Sequence, residues 1–133
     1  MRERDIKVVL TGEGADEMFA GYDIFREAKV RRFWARQPAS TLRPRLLERL
    51  YPYLARSPVR QQAMAKQFFG KDLARASEPG FSHTTRWSST ASLFRLFGAA
   101  QRESLAGHDL VSELLAKLPT EFSRWTPLAQ DQY

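Results

Sequence analysis

The chain contains no cysteine and no asparagine, and its only histidines are His83 and His108. These absences exclude disulfides, cysteine nucleophiles and N-glycosylation within these residues, and two histidines cannot make a zinc site alone. No window reaches the ~18 to 20 uninterrupted apolar residues of a membrane span, and the first residues are charged where a signal peptide has its apolar core. The sequence therefore predicts a soluble, cytoplasmic protein with no membrane partner.

The composition is that of one modest globular domain, but the charge is unevenly distributed. Of 133 residues, 43% are hydrophobic and 27% are charged, and the formal net charge is +6. Residues 26–60 carry ten basic and two acidic side chains and so supply the whole positive excess. Such a stretch is compatible with nucleic-acid binding, although solvated faces of arginine-rich helices are more common. Arg31 and Arg32, near the acidic motif described below, are the two cations to test for anion binding.

Hydrophobic periodicity predicts one strand followed by helices. Residues 6–10 form a short run rich in β-branched side chains that is typical of a strand buried on both faces. Residues 77–89 are predicted to form a loop, which contains His83 as a structural histidine. Pro52 predicts a kink and Asp109 an N-cap. Helices are predicted over residues 15–35 with an interruption near Gly21, and over 44–55, 59–69, 90–97 and 109–118. Eight aromatic side chains at helical spacings are predicted to fill the core: Phe33, Trp34, Phe68, Phe69, Trp87, Phe94, Phe97 and Trp125.

A single buried strand has no partner strand of similar quality in this sequence. Because its backbone groups need hydrogen-bond partners, the rest of the sheet is expected elsewhere, or in a second copy. We therefore interpret residues 1–133 as a single partial domain. It consists of a strand-loop-helix motif at residues 6–22 and a helical remainder at residues 23–133, and its fold class is mostly α with one short strand, a fragment of a larger α/β domain.

The residues with the chemistry of a site lie between the strand and the first helix, in the string TGEGADE at residues 11–17. In open α/β sheets ligands bind at the carboxyl ends of strands, and glycines with backbone N–H groups at a helix start can approach phosphate closely. Three carboxylates in this string would repel a bare phosphate, so a divalent cation or a cationic substrate is implied. The alternative, an acidic helix start that only complements the helix dipole, stays open on spacing alone.

Residues 8–22, VVLTGEGADEMFAGY, resemble the signature V-V-L-S-G-E-G-[AS]-D-E-[LV]-F-G-G-Y of the synthetase domain of glutamine-hydrolysing asparagine synthetases. The sequence departs from this signature at three positions. Thr11 replaces the usual serine, Met18 replaces leucine or valine, and Ala20 replaces glycine. None of these changes removes a functional group. The resemblance implies an adenine-nucleotide alpha-hydrolase-like (ATP pyrophosphatase) fold. It also implies ATP-dependent amide formation, in which an aspartate side chain is activated as an acyl-adenylate and attacked by ammonia derived from glutamine.

The resemblance also implies roles for individual residues. Thr11, Gly12 and Gly14 would lie against ATP, and Asp16 would bind Mg²⁺. Glu13 would assist adenylate formation and accept a proton from the attacking ammonia. Glu17 would cap or orient the helix.

Other parts that the family uses are not found in these 133 residues. The pyrophosphate loop S-G-G-x-D-S, the N-terminal cysteine of the glutaminase half and the string E-x-R-x-P-F-L-D are all missing from the sequence. The chain therefore resembles an internal slice of the synthetase domain, and we expect it to be inactive alone. Its implied partners are the remainder of its synthetase domain and a glutaminase domain, and a homodimer is compatible with the sequence.

Three alternatives remain at this stage. Related amidotransferases with the same motif act on acyl substrates other than aspartate. A small basic helical module could use residues 26–60 to bind nucleic acid, which the motif match disfavours. A structural fragment could pair its exposed strand between copies.

Overall fold

The computed structural model describes residues 12–133, and in this part of the chain all regular structure is helical. The predominantly α class is thus confirmed for these residues. The strand predicted at residues 6–10 lies outside the described residues, so the strand-loop-helix motif stays a prediction. The α-helices are α1 (Ala15–Met18), α2 (Asp23–Ala35), α3 (Leu46–Leu50), α4 (Pro52–Arg56), α5 (Val59–Phe69), α6 (Phe81–Ala91), α7 (Ala99–Ser104), α8 (Leu110–Leu115) and α9 (Pro127–Gln132). Short 3-10 turns occur at Arg43–Arg45, Leu73–Arg75, Ser92–Leu96 and Phe122–Arg124.

Local signals predict several helix boundaries correctly. Helix α5 spans the predicted residues 59–69. Pro52 separates α3 from α4. A residue that precedes proline avoids the helical conformation, and Tyr51 accordingly has φ −125° and ψ 82°. The Asp109 side chain accepts a hydrogen bond from the Ser112 backbone N–H at 3.2 Å, which confirms the predicted N-cap of α8.

The predicted interruption near Gly21 is also confirmed, and it separates α1 from α2. Ala20 has a φ of +55°, in the left-handed region where a Cβ is strained. This is the position at which the family signature has glycine. The chain reverses here at an energetic cost that glycine would not incur.

Replacing Ala20 with glycine is expected to raise the free energy of unfolding by about 0.5 to 1 kcal/mol, because relief of the left-handed strain outweighs the added flexibility of the unfolded chain. Urea denaturation of the purified protein measures this change. Ala63→Gly in exposed α5 is the matched control, and it should lower stability by a similar amount. A loss of stability in both variants would contradict the strain at Ala20.

The prediction of a loop at residues 77–89 is wrong, because α6 occupies Phe81–Ala91. Its serines and threonines are weak helix formers, so the local sequence favours a loop. Packing overrides this preference: Phe81, Ser82 and Thr85 are buried against the rest of the molecule. Gly80 begins the helix with a φ of +73°.

The predicted helix at residues 90–97 is likewise corrected. Its first residues complete α6, and the chain then continues as the 3-10 turn Ser92–Leu96. Helices α7 and α9 have no counterpart among the predicted helices. None of the helices in residues 12–133 is both long and apolar enough to cross a membrane.

The core is a cluster of apolar side chains from α2, α3, α5, the 3-10 turn at Leu73–Arg75 and the start of α6. Its buried members are Trp34, Leu47, Phe69, Leu73 and Phe81. The prediction that the eight aromatic side chains fill the core is therefore correct for Trp34 and Phe69. Phe33, Phe94 and Phe97 are instead exposed.

A buried arginine joins the helices around this core. Arg31 on α2 is 1% exposed, and three of its side-chain nitrogens donate to backbone carbonyls. Nε donates to Phe69, Nη1 to Phe81 and Nη2 to Lys71, each at 3.0 Å. The guanidinium carbon also lies 4.1 Å from the centre of the Phe81 ring, a cation–π arrangement. Burial lowers the pKa of Arg31, and these contacts compensate for the lost hydration.

A buried carboxylate on the same helix makes a second connection. Glu27 is 1% exposed and accepts a hydrogen bond from the Tyr51 hydroxyl. Arg86 Nη2 on α6 lies 2.7 Å from Glu27 Oε1 and 2.6 Å from Oε2, so one donor contacts both oxygens. Burial and the hydrogen bond to Glu27 raise the pKa of Tyr51. Helix α2 is thereby linked to both α6 and the α3–α4 junction.

Candidate active site

The acidic turn, which we define as residues 12–17, precedes α2 and presents its side chains to solvent. Gly12, Glu13, Asp16 and Glu17 are all exposed, and Gly14 is half-buried. Gly14 is the N-cap residue of α1 and has a φ of +101°, a conformation that strains any residue with a Cβ. Among residues 12–133, no atom would lie within 4 Å of a Cβ added at Gly12 or Gly14, so this part of the structure leaves the space around both glycines open.

A second glycine fixes the environment of Asp16. The Gly21 backbone N–H donates to the Asp16 carbonyl at 2.8 Å as the chain turns back after α1. A Cβ at position 21 would overlap Asp16 Oδ1. Glycine at position 21 therefore lets the Asp16 carboxylate keep this position, which a larger residue would force it to leave.

Glu17 does not cap the start of α1, because Gly14 occupies the N-cap position and no side chain of residues 12–133 caps that end. Its carboxylate instead lies beside the exposed Tyr22 phenol. The charge of Glu17, followed by its hydrogen bonding, raises the pKa of Tyr22. Glu17 thus lies near enough to Tyr22 for its negative charge to act on the phenol.

The acidic turn offers exposed carboxylates but no complete set of metal ligands within residues 12–133. Residues 12–133 contain no group of three or more side chains that could hold a metal ion by themselves. Magnesium in nucleotide sites is typically held by one or two carboxylates together with phosphates and water. The exposed Asp16 carboxylate offers one such oxygen ligand.

The sequence-predicted site residues lie close together along the chain. The structure brings Gly12, Glu13, Gly14 and Asp16 into one open turn, whereas Thr11 lies outside the described residues. The geometry alone assigns these residues no ligand, so their individual roles remain predictions.

The two arginines singled out for anion binding have other partners. The side-chain nitrogens of Arg31 donate to three backbone carbonyls, and the residue is only 1% exposed, so its guanidinium is inaccessible to a ligand. Arg32 forms a two-pronged ion pair with Asp131, with Nη1–Oδ2 at 2.5 Å and Nη2–Oδ1 at 2.7 Å. Both arginines therefore stabilise the helical assembly.

His83 has a structural environment within α6. Its Nδ1 lies 2.7 Å from Ser82 Oγ, and its ring stacks on Trp87 with 5.4 Å between ring centres. Burial lowers the pKa of His83. These contacts agree with the structural role predicted for it, although not with its placement in a loop.

The sequence alone does not show that residues of α9 contact α1 and α2. Asp131 contacts α2 through Arg32, and Gln132 contacts the backbone of α1. The local signal for α9 is Thr126-Pro127, a capping residue followed by a first-turn proline. That signal marks a helix start but does not indicate what the helix contacts.

The family model described as asparagine synthase matches residues 1–133, and the chain therefore belongs to the asparagine synthase family. This confirms the resemblance identified in residues 8–22. Comparison with curated proteins and with solved structures gave no match. The family is one of ATP-using ligases with an adenine-nucleotide alpha-hydrolase-like domain, so the acidic turn is the candidate active site.

Proposed function

We propose that this chain is part of an ATP-dependent amide ligase of the glutamine-hydrolysing asparagine synthetase type. The reaction would convert aspartate, ATP and ammonia from glutamine into asparagine, AMP and pyrophosphate through an acyl-adenylate. The observation that carries the proposal is the family match along the whole chain, together with an open acidic turn at the family motif.

Glu13 is proposed as the catalytic carboxylate. Ammonia that attacks an activated acyl group must lose a proton, and a carboxylate within hydrogen-bond reach can accept it. The Glu13 side chain is exposed on the turn, and within residues 12–133 it forms no ion pair. It is thus accessible to a substrate bound at the turn.

Thr11, Gly12 and Gly14 are proposed to lie against ATP, and Asp16 to bind Mg²⁺. The open space around the two glycines allows the backbone to approach a phosphate closely. Magnesium, when bound, neutralises charge that develops on the pyrophosphate leaving group. Gly21 supports this role because its missing side chain leaves the Asp16 carboxylate unobstructed.

The proposed partners are the remainder of the synthetase domain, which would supply neighbouring strands and the pyrophosphate loop, and a glutaminase domain that supplies ammonia. The acyl substrate is proposed as aspartate because the family match favours it. The alternative is a related carboxylate substrate, and the experiment below distinguishes it from aspartate.

The test uses the complete synthetase that carries this segment. Incubation with ATP, Mg²⁺, aspartate and an ammonium salt should release AMP and pyrophosphate together with one equivalent of asparagine, and omission of aspartate should stop the release. If the release of AMP and pyrophosphate requires a different carboxylate, that compound is the acyl substrate instead of aspartate, and the protein is still a ligase. No ATP consumption with any carboxylate tested would contradict the proposal, and the 133 residues alone should be inactive.

A further inference from the structure

The C-terminal helix reaches back to the acidic turn. Gln132 Nε2 donates to the carbonyls of Glu17 at 2.9 Å and Met18 at 2.7 Å, across 115 and 114 residues of sequence. Glu17 and Met18 are the last two residues of α1. In so short a helix their carbonyls accept no hydrogen bond from a later turn of the same helix. Gln132 therefore caps the end of α1 from another part of the fold.

Helix α1 needs such support because its own interactions are few. It has four residues, none of them buried, and no side chain caps its start. A single helical turn is not stable by itself in water. Within the described part of the chain, Gln132 is the only residue beyond position 22 whose side chain hydrogen-bonds to α1.

Helix α9 is itself held firmly enough to act as a support. Asp131, next to Gln132, is 6% exposed and forms the two-pronged ion pair with Arg32 on α2. Thr126 Oγ1 accepts a hydrogen bond from the Ala129 backbone N–H at 3.2 Å and caps the start of α9. The α2–α9 connection thus fixes the position from which Gln132 reaches α1.

We propose that Gln132 is a positioning residue for the acidic turn: it holds α1 so that Glu13 and Asp16 are presented in a fixed orientation. The inference rests on the proposed function for its effect on turnover. Its structural part, the support of α1, does not depend on that function. Because the Gln132 side chain donates to the backbone carbonyls of Glu17 and Met18, its replacement removes none of the proposed catalytic side chains and changes only how α1 is held.

The test is Gln132→Ala in the complete synthetase, compared with Gln130→Ala. Gln130 is the matched control because it lies on the same helix and donates to a different carbonyl, that of Phe122, at 2.8 Å. Hydrogen exchange should become about three- to tenfold faster in Gln132→Ala at the amides of Met18, Phe19 and Gly21, which donate to carbonyls of residues 14–16 at α1, corresponding to loss of modest hydrogen bonds. It should not change there in Gln130→Ala.

Turnover provides the second measurement. Gln132→Ala should lower kcat about tenfold with the KM for ATP changed less than twofold, because the orientation of Glu13 is lost while ATP contacts remain. Gln132→Glu, which places a carboxylate against two carbonyls, should behave like the alanine variant. If hydrogen exchange at α1 were unchanged in Gln132→Ala, Gln132 would not support α1. If exchange were faster but kcat unchanged, Gln132 would not position the catalytic residues. Wild-type protein without ligase activity but with the exchange difference would overturn only the proposed function.

Discussion

Replacing Arg31 with leucine is expected to lower the free energy of unfolding by about 3 to 6 kcal/mol, enough to unfold many domains of this size. Three carbonyls that now accept hydrogen bonds would lose their donors, and those of Phe69 and Phe81 would do so in the interior, whereas that of Lys71 is partly buried. The stacking of the guanidinium on the Phe81 ring would be lost as well. Chemical denaturation followed by circular dichroism measures the change.

Arg31→Lys tests the geometry behind this expectation. A lysine keeps the charge, but its compact ammonium cannot span three carbonyls that a planar guanidinium reaches, so we expect most of the loss to remain. Lys29→Leu is the control, because Lys29 is an exposed cation on the same helix and should change stability by less than about 0.5 kcal/mol. Equal effects at positions 29 and 31 would contradict the central role of Arg31.

Replacing Glu13 with glutamine in the complete synthetase is expected to reduce kcat for ammonia-dependent ligation by about 10² to 10⁴, the usual contribution of a general base. Glutamine keeps the size and polarity of the side chain but cannot accept the proton from ammonia. The KM for ATP should change little, because the proposed ATP contacts come from other residues of the turn. Steady-state measurement of AMP release at saturating ammonia gives both values.

Glu17→Gln is the matched control for this experiment. Glu17 lies four residues away on the same exposed turn, and the resemblance assigns it only a capping or orienting role, so its charge should be dispensable to within about threefold in kcat. If the two variants were equally active, Glu13 would have no catalytic role. If both were equally impaired, the general negative charge of the turn would matter more than one proton acceptor.

Local sequence signals predict those parts of the fold that local interactions decide. Pro52 fixes its own φ and Asp109 caps the backbone three residues away, so both effects are predictable. Helix α6 is not predictable in this way. Its serines and threonines favour a loop, and the contacts that hold the helix, Phe81 against Arg31 and Arg86 with Glu27, come from distant parts of the chain.

The residues of the candidate site are likewise of two kinds, those that local sequence predicts and those that it does not. The acidic turn is identifiable because its residues are contiguous and match a family motif. Gln132 and Asp131 escape prediction because their partners lie more than 90 residues away in sequence, and neither residue has a distinctive neighbour. Arg31 stands out in the sequence as a charge, but its three carbonyl acceptors are backbone atoms, which sequence composition does not reveal.

The contact between Gln132 and α1 also sets an order of events during synthesis on the ribosome. The residues of α1 are made among the first of this segment, yet their capping partner is made 115 residues after Glu17. At about 5 to 20 residues per second, that interval lasts roughly 6 to 23 s. Throughout it the nascent turn lacks its final hydrogen bonds, so a stalled ribosome would hold a chain with its candidate active site unsupported.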